Sequence, residues 1–300
     1  MANLSTDENN VNEILIQFCN LSVSLAKVTL NKYDAGVVLA IITSVISAVV
    51  NIGVIVVIAS TKELQRRQNI FTCSLALSDG IFALSSLATL IALGDQTTFV
   101  QVMFSVSDIS ISVSLCTIGS IALERFIIIV WRPFERKKIS TKTILILCIF
   151  NWILIIAITV PGYVGNYRAE MYLTTPSFIT GIIVFIVILY IAIYWSVRQH
   201  EPKTNSFRSK REKFNSDRLL VTFSLILGIF VVCWLPYCIV IILSNMSFEY
   251  CDEALTVSYM IGFELILINS LSNPFIYLWR IKKFRNASCR LFSCGKRTFF

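Results

Sequence analysis

Asn269-Ser-Leu-Ser-Asn273-Pro274-Phe-Ile-Tyr277, followed at once by Arg280-Ile-Lys-Lys-Phe-Arg285, closes the last long apolar run of this chain. A segment in lipid must satisfy its backbone internally. Two asparagines and a proline are tolerated there only when packed against a polar interior. The sudden change to basic residues marks the point where the chain leaves the hydrocarbon. Together they read as the inner end of one helix in a bundle with a polar centre.

The rest of the chain agrees. Hydrophobic residues make up 56% and charged ones 15%, with a mean hydropathy of +0.74, beyond soluble averages on both counts. Seven stretches are long enough to cross a hydrocarbon core, which takes about 20 residues: 33–61, 69–94, 99–131, 141–163, 174–199, 217–244 and 252–279. The expected fold is an all-α membrane protein, a seven-transmembrane helix bundle plus a short amphipathic eighth helix. It divides into an extracellular tail (1–32), a bundle domain (33–279), and an amphipathic helix with a short cytoplasmic tail (280–300).

Basic residues orient it. With the N-terminus outside, only Lys27, Lys32 and Arg168 of the 26 Lys+Arg lie on the outer side, as the positive-inside bias requires. The net charge of +8 then belongs to the cytoplasmic face, where anionic lipids and an acidic partner meet it. Nucleic acid is not an expected partner for such a face. The first 32 residues lack a basic-then-apolar signal peptide, so the first membrane helix is expected to act as its own signal. Asn3, Asn20 and Asn245 begin glycosylation triplets on the expected outer side. Cys19 and Cys251 are the two cysteines in outer segments and are expected to pair in an oxidising compartment. After Tyr277, apolar Ile281, Phe284, Ala287 and Leu291 share one face among Lys282, Lys283, Arg285 and Arg290, the pattern of a helix lying along the inner leaflet. Cys289 and Cys294 at its end are candidates for palmitoylation, with free cytosolic thiols the alternative.

Polar groups recur at mid-membrane: Asn51, Asp79, Ser114, Asn269 and Asn273. A carboxylate there costs about 2.5–3.5 kcal/mol even on the lenient insertion scale, so Asp79 is expected to face inward. Hydroxyl and carboxamide oxygens beside it suit a small hard cation, sodium above all. A protonated Asp79 in a plain hydrogen-bond network is the alternative. Glu124-Arg125-Phe126 ends the third segment, where a guanidinium at the membrane boundary needs a partner that could open and close. In the sixth, Cys233-Trp234-Leu-Pro236-Tyr237 places a kink-forming proline beside a large aromatic residue, with Phe230 one turn further in. Taken singly, each is also ordinary packing or a weak surface ion pair.

Taken in order, these motifs resemble the rhodopsin-like (class A) G-protein-coupled receptors along all seven segments. The matches are Asn51, Leu75-Ala-Leu-Ser-Asp79, Glu124-Arg125-Phe126, Trp152, Tyr190, Cys233-Trp-Leu-Pro236 and Asn273-Pro274-Phe-Ile-Tyr277. The resemblance implies a sodium pocket of Asp79, Ser114, Trp234, Asn269 and Asn273, the sodium ion acting as an allosteric modulator. It implies an activation switch of Arg125, Tyr190 and Tyr277, worked through Phe230, Trp234, Pro236 and Pro274, and a packing relay of Leu115 and Phe230. A ligand pocket would lie among Ser107, Asp108, Ile111, Trp234, Tyr237, Cys238, Ile241, Glu264 and Leu267. Implied partners are a heterotrimeric G protein, arrestin, a receptor kinase and an extracellular ligand, at the plasma membrane.

Departures narrow the group. The usual outer cysteine of the third helix is missing from Thr98-Phe-Val100-Gln, and Ile182 stands near the usual helix-five proline. Those losses look like melanocortin receptors, while the last helix and its basic tail look like adenosine receptors. The chain is therefore placed as a divergent member near both. The retinal lysine of opsins is replaced by Leu267, the amine receptors' aspartate by Ser107, and the adenosine receptors' asparagine by Ile241. Thr89, Val100 and Phe104 stand where melanocortin receptors carry acids. Asp108 and Glu264 are the remaining acids of the outer half, and they favour a basic or amine-bearing ligand, with structural pairing the alternative for both. Ser216 stands where some relatives carry the acid that locks Arg125, with Asp217 adjacent, so a weak lock and raised basal signalling are expected.

The competing expectation is an ion-coupled transporter or channel using Asp79 as a relay, though the repeats and paired broken helices of transporters are missing. A non-signalling receptor-like protein is the third. An enzyme is not expected, since the single His200 lies in a loop and no phosphate loop or nucleophile elbow is present.

Overall fold

The structure, a computed structural model, describes residues 34–92, 98–131, 139–164, 168–199, 228–240, 253–280 and 282–292. These form eight α-helices and no strand. They are α1 (Asp34–Ser60), α2 (Gln68–Ile91), α3 (Thr98–Phe126), α4 (Thr141–Val164), α5 (Arg168–Gln199), α6 (Gly228–Val240), α7 (Glu253–Arg280) and α8 (Lys282–Phe292). Six are long and apolar enough to cross a membrane, and the described part of α6 is shorter. The expected links, tails and outer cysteine pair (Cys19, Cys251) lie outside the described residues, as do Asn3, Asn20, Asn245, Ser216, Asp217, Ile241 and Cys294.

Large apolar side chains cover the outside: Val49 on α1, Ile146 and Ile153 on α4, Ile188 on α5 and Val232 on α6 are all more than half exposed. In water such a surface would aggregate, but in lipid it is the favourable one. The centre is more polar. Ser44, Ser47, Asn51, Ser78, Asp79, Ser114 and Thr117 are buried. Many of these hydroxyls return a hydrogen bond to their own helix, as in Thr117 to the Val113 carbonyl at 2.8 Å and Ser110 to Val106 at 2.7 Å. Small residues that satisfy themselves in this way let helix backbones approach closely.

The main apolar core joins Leu75 and Phe82 of α2, Leu115 and Ile118 of α3, Ile186 and Tyr190 of α5, Phe230 and Trp234 of α6, and Leu267 of α7. At the end of the bundle where α7 gives way to α8, a second cluster packs Val54, Val57 and Ile58 of α1 and Ala76 of α2 against Phe284 and Ala287 of α8. The eighth helix therefore docks through the face expected of it, although Leu291, placed on that face, is 45% exposed. α4 starts with a side-chain cap, the Thr143 amide donating to Ser140 Oγ at 3.1 Å, which satisfies one of the orphan donors of a helix start.

Two boundaries differ from expectation. α5 begins at Arg168, six residues before the expected start at 174, so the α4–α5 link is shorter still. The third helix does not run unbroken to 131, because Ile127–Trp131 forms a π-helical turn just beyond Arg125.

Candidate functional site

Asp79 of α2 is the hub. It is 2% exposed and accepts two hydrogen bonds from different helices: Ser114 Oγ of α3 donates to Oδ1 at 2.7 Å, and Asn273 Nδ2 of α7 donates to Oδ2 at 2.8 Å. Ser270 Oγ reaches the Asp79 backbone carbonyl at 3.4 Å. Asn51 of α1 completes the ring, donating to the Ser47 carbonyl at 2.9 Å and the Ser270 carbonyl at 3.3 Å. One carboxylate thus ties α2, α3 and α7 together, and α1 joins through Asn51. Asn269 is buried on α7 one turn from Asn273. Of the expected residues, Ser114 and Asn273 meet Asp79 directly and Asn51 joins through Ser270; Ser47 and Ser270, which sequence reading passed over, meet with them.

Trp234 is 1% exposed and packs on Phe230 with ring centroids 5.8 Å apart. Its indole nitrogen is buried without a hydrogen-bond partner, an uncommon state for a group that usually finds one. Pro236 lies in the same helix and removes one backbone donor from it. Leu115, fully buried, packs in the same core cluster as Phe230 and Trp234. Phe230 and Trp234 of α6 therefore share a core cluster with α3 at Leu115, the residue next to Ser114.

On the side of Trp234 away from Phe230, Tyr237 meets Trp234 edge-on with centroids 6.4 Å apart and Tyr259 of α7 at 5.9 Å. Tyr163 of α4 donates to Asp108 Oδ2 at 3.4 Å. Asp108 lies seven residues before Leu115, two turns along the same face of α3. It therefore looks towards α6, within Coulombic range of Tyr237 and Tyr259. Ser107 instead faces α2, where its hydroxyl meets Ser85 at 2.7 Å. Ile111 is half-buried, and Cys238 and Leu267 are buried. Glu264 sits apart from this group: its Oε1 accepts from Thr43 of α1 at 2.6 Å, so it clasps α1 to α7. That pairing could not be read from spacing, because Thr43 and Glu264 lie 221 residues apart along the chain.

At the end of α3, Arg125 lies 3.9 Å from its neighbour Glu124, whose side chain is only 4% exposed. Tyr190 of α5 is buried within Coulombic range of Arg125. Tyr277 packs on Phe284 of α8 with centroids 6.3 Å apart. Phe126 packs at the edge of the main core, and Pro274 lies inside α7. Cys289 is exposed and free. Among the described residues, no group of three His, Cys, Asp or Glu side chains could hold a metal ion.

The sequence matches the family model described as "7 transmembrane receptor (rhodopsin family)" over residues 50–174 and 164–277. It is 27% identical to melanocortin receptor 5 of Mus musculus over 273 residues, covering 83% of this chain and 81% of the relative. To melanocortin receptor 5 of Homo sapiens it is 25% identical over 266 residues, with 83% and 82% covered. Squid rhodopsin superposes with a TM-score of 0.73 at 21% identity, covering 88% of this chain and 87% of that one, which shows a shared fold. Its relatives are signalling receptors and not enzymes, and their polytopic character agrees with the apolar helices. The chain belongs to the rhodopsin family of seven-transmembrane receptors, with similarity to melanocortin receptors.

Proposed function

We propose that this receptor binds an extracellular ligand among the outer ends of α3 to α7 and activates heterotrimeric G proteins at its cytoplasmic face. The observation that carries the reading is the Asp79 hub, one buried carboxylate joined to both α3 and α7, with Ser114 of α3 adjoining Leu115 of the core cluster that contains Trp234. Ligand contact above Trp234 would shift α6 about Pro236 and move its inner end outward. Arg125, Tyr190 and Tyr277 would then frame the cavity that receives the G protein. Arrestin and a receptor kinase would follow at the same basic face, and the N-terminus lies outside.

A sodium-type ion fits the hub. Its donor set of carboxylate, hydroxyls (Ser114, Ser270) and carboxamides (Asn269, Asn273) is all hard oxygen once the amides turn, and Trp234 roofs it. When bound, the ion supplies positive charge against Asp79 and so favours one arrangement of α2, α3 and α7. The residues themselves do the coupling, since any shift of α7 must stretch or break the Asn273–Asp79 bond.

The test is expression in cells with G-protein activation read across families, recording basal activity as well. Asp79→Asn should abolish sodium-dependent modulation of signalling while the receptor still reaches the surface. Sodium sensitivity equal to wild type would remove the ion site from the proposal. No activation of any G protein, basal or stimulated, would favour the non-signalling reading.

A further inference from the structure

We infer that Glu264 is a proton-binding site within the bundle, a neutral carboxyl that latches α7 to α1 through Thr43 and releases it when the proton leaves. This goes beyond the receptor reading above and does not depend on it. Thr43 is buried on α1, and its hydroxyl lies 3.0 Å from the Leu39 carbonyl and 2.6 Å from Glu264 Oε1. A threonine hydroxyl has one hydrogen to give. Against an ionised carboxylate that hydrogen faces two acceptors, and they must divide it. A proton on Glu264 completes the count: the carboxyl donates to Thr43 Oγ1, and Thr43 donates to Leu39. Both distances then lie in the ordinary range of hydroxyl donors.

The surroundings favour the same assignment. Glu264 Oε2 is buried without a hydrogen-bond partner, a costly state for half of an ionised carboxylate and a milder one for the carbonyl of a neutral acid. Among the described residues, the helices at this seam bring no cation to it. α1 has no titratable side chain between Ala35 and Ser60. α2, which meets α7 where Phe82 packs on Phe263 with centroids 6.3 Å apart, carries Cys73 and Asp79, and Ser114 and Asn273 engage the Asp79 carboxylate. Between Glu253 and Arg280, the other titratable groups of α7 are Tyr259, which packs on Tyr237, and Tyr277, which packs on Phe284. When the carboxyl O–H bond breaks and its proton passes to water, the electron pair stays on Glu264. A negative charge then stands unpaired between two apolar helices, and the donor chain through Thr43 is broken. Because α7 also carries Asn273, the latch bears on the Asp79 hub.

The test is infrared difference spectroscopy of the purified full-length receptor in lipid nanodiscs, with no ligand or G protein required. Wild type minus Glu264→Gln should show the carbonyl stretch of a protonated carboxyl at neutral pH, shifting in heavy water as an exchangeable acid does. Carboxylate bands in its place would overturn the inference. Thr43→Val removes the partner and leaves the acid, so the same band should rise in frequency; an unmoved band means that Thr43 is not its acceptor. As pH is raised, the wild type should lose the carboxyl band and thermal stability over one range. Glu264→Gln keeps an N–H donor for Thr43 and should lose less stability there. Parallel stability profiles for the two proteins would overturn the latch. Should Glu264→Gln misfold, wild type minus Thr43→Val carries the same reading of the band.

Discussion

A single glycine sets how closely α7 approaches α6 at Tyr237. A methyl group added at Gly262 would sit 3.1 Å from Tyr237 Cα and 3.3 Å from its side chain. The first of these is backbone and cannot turn aside. Gly262→Ala should therefore push α7 from α6 and cost a net of about 1–3 kcal/mol, seen as a lower melting temperature of the purified receptor. Gly80→Ala makes the contrast, since its new methyl would meet Asn51 Cβ at an ordinary 3.7 Å and should be close to neutral. Equal losses in the two variants would show that close approach is not what Gly262 provides. Residue chemistry also explains which acids could be understood from sequence. Asp79 announced itself because no isolated carboxylate rests cheaply at mid-membrane. Asp108 and Glu264 did not reveal their directions, since a step of one residue turns a side chain by about 100° and only neighbouring helices say what it then meets.

Among the elements, α8 offers the sharpest case. Its alternation of basic and apolar residues indicated a surface-lying helix, and the docking surface on α1 came only with the fold. Phe284 is 3% exposed against Val54, Val57 and Ile58. Phe284→Ala should cost about 3–5 kcal/mol of docking and raise amide exchange across 282–292 by at least roughly a hundredfold. Unchanged exchange would mean that the helix is held by something other than this ring. The π turn at Ile127–Trp131 was not foreseen, because an apolar run at a membrane boundary reads equally well as α-helix. It begins two residues after Arg125.

For the whole molecule, orientation is the property the basic residues address most directly. An epitope placed before Asn3 should be reached by antibody on intact cells, and one placed after Phe300 only after permeabilisation; the reverse labelling would invert the topology. Glycosidase should shorten the protein on gels if any of Asn3, Asn20 or Asn245 carries sugar. Mass spectrometry of the folded receptor should find Cys19 and Cys251 joined, and a free thiol at either would refute the pair. The number of membrane helices, their order and the chemical nature of the buried hub were legible in the sequence alone, because hydropathy and the cost of buried charge act locally along the chain. Which helices share Asp79, that Glu264 clasps α1, and that Asp108 looks past Tyr163 towards Tyr237 were decided only by the tertiary structure. Those pairings depend on how each rod is rotated against its neighbours, a quantity fixed by side-chain packing across the bundle and invisible within any one segment.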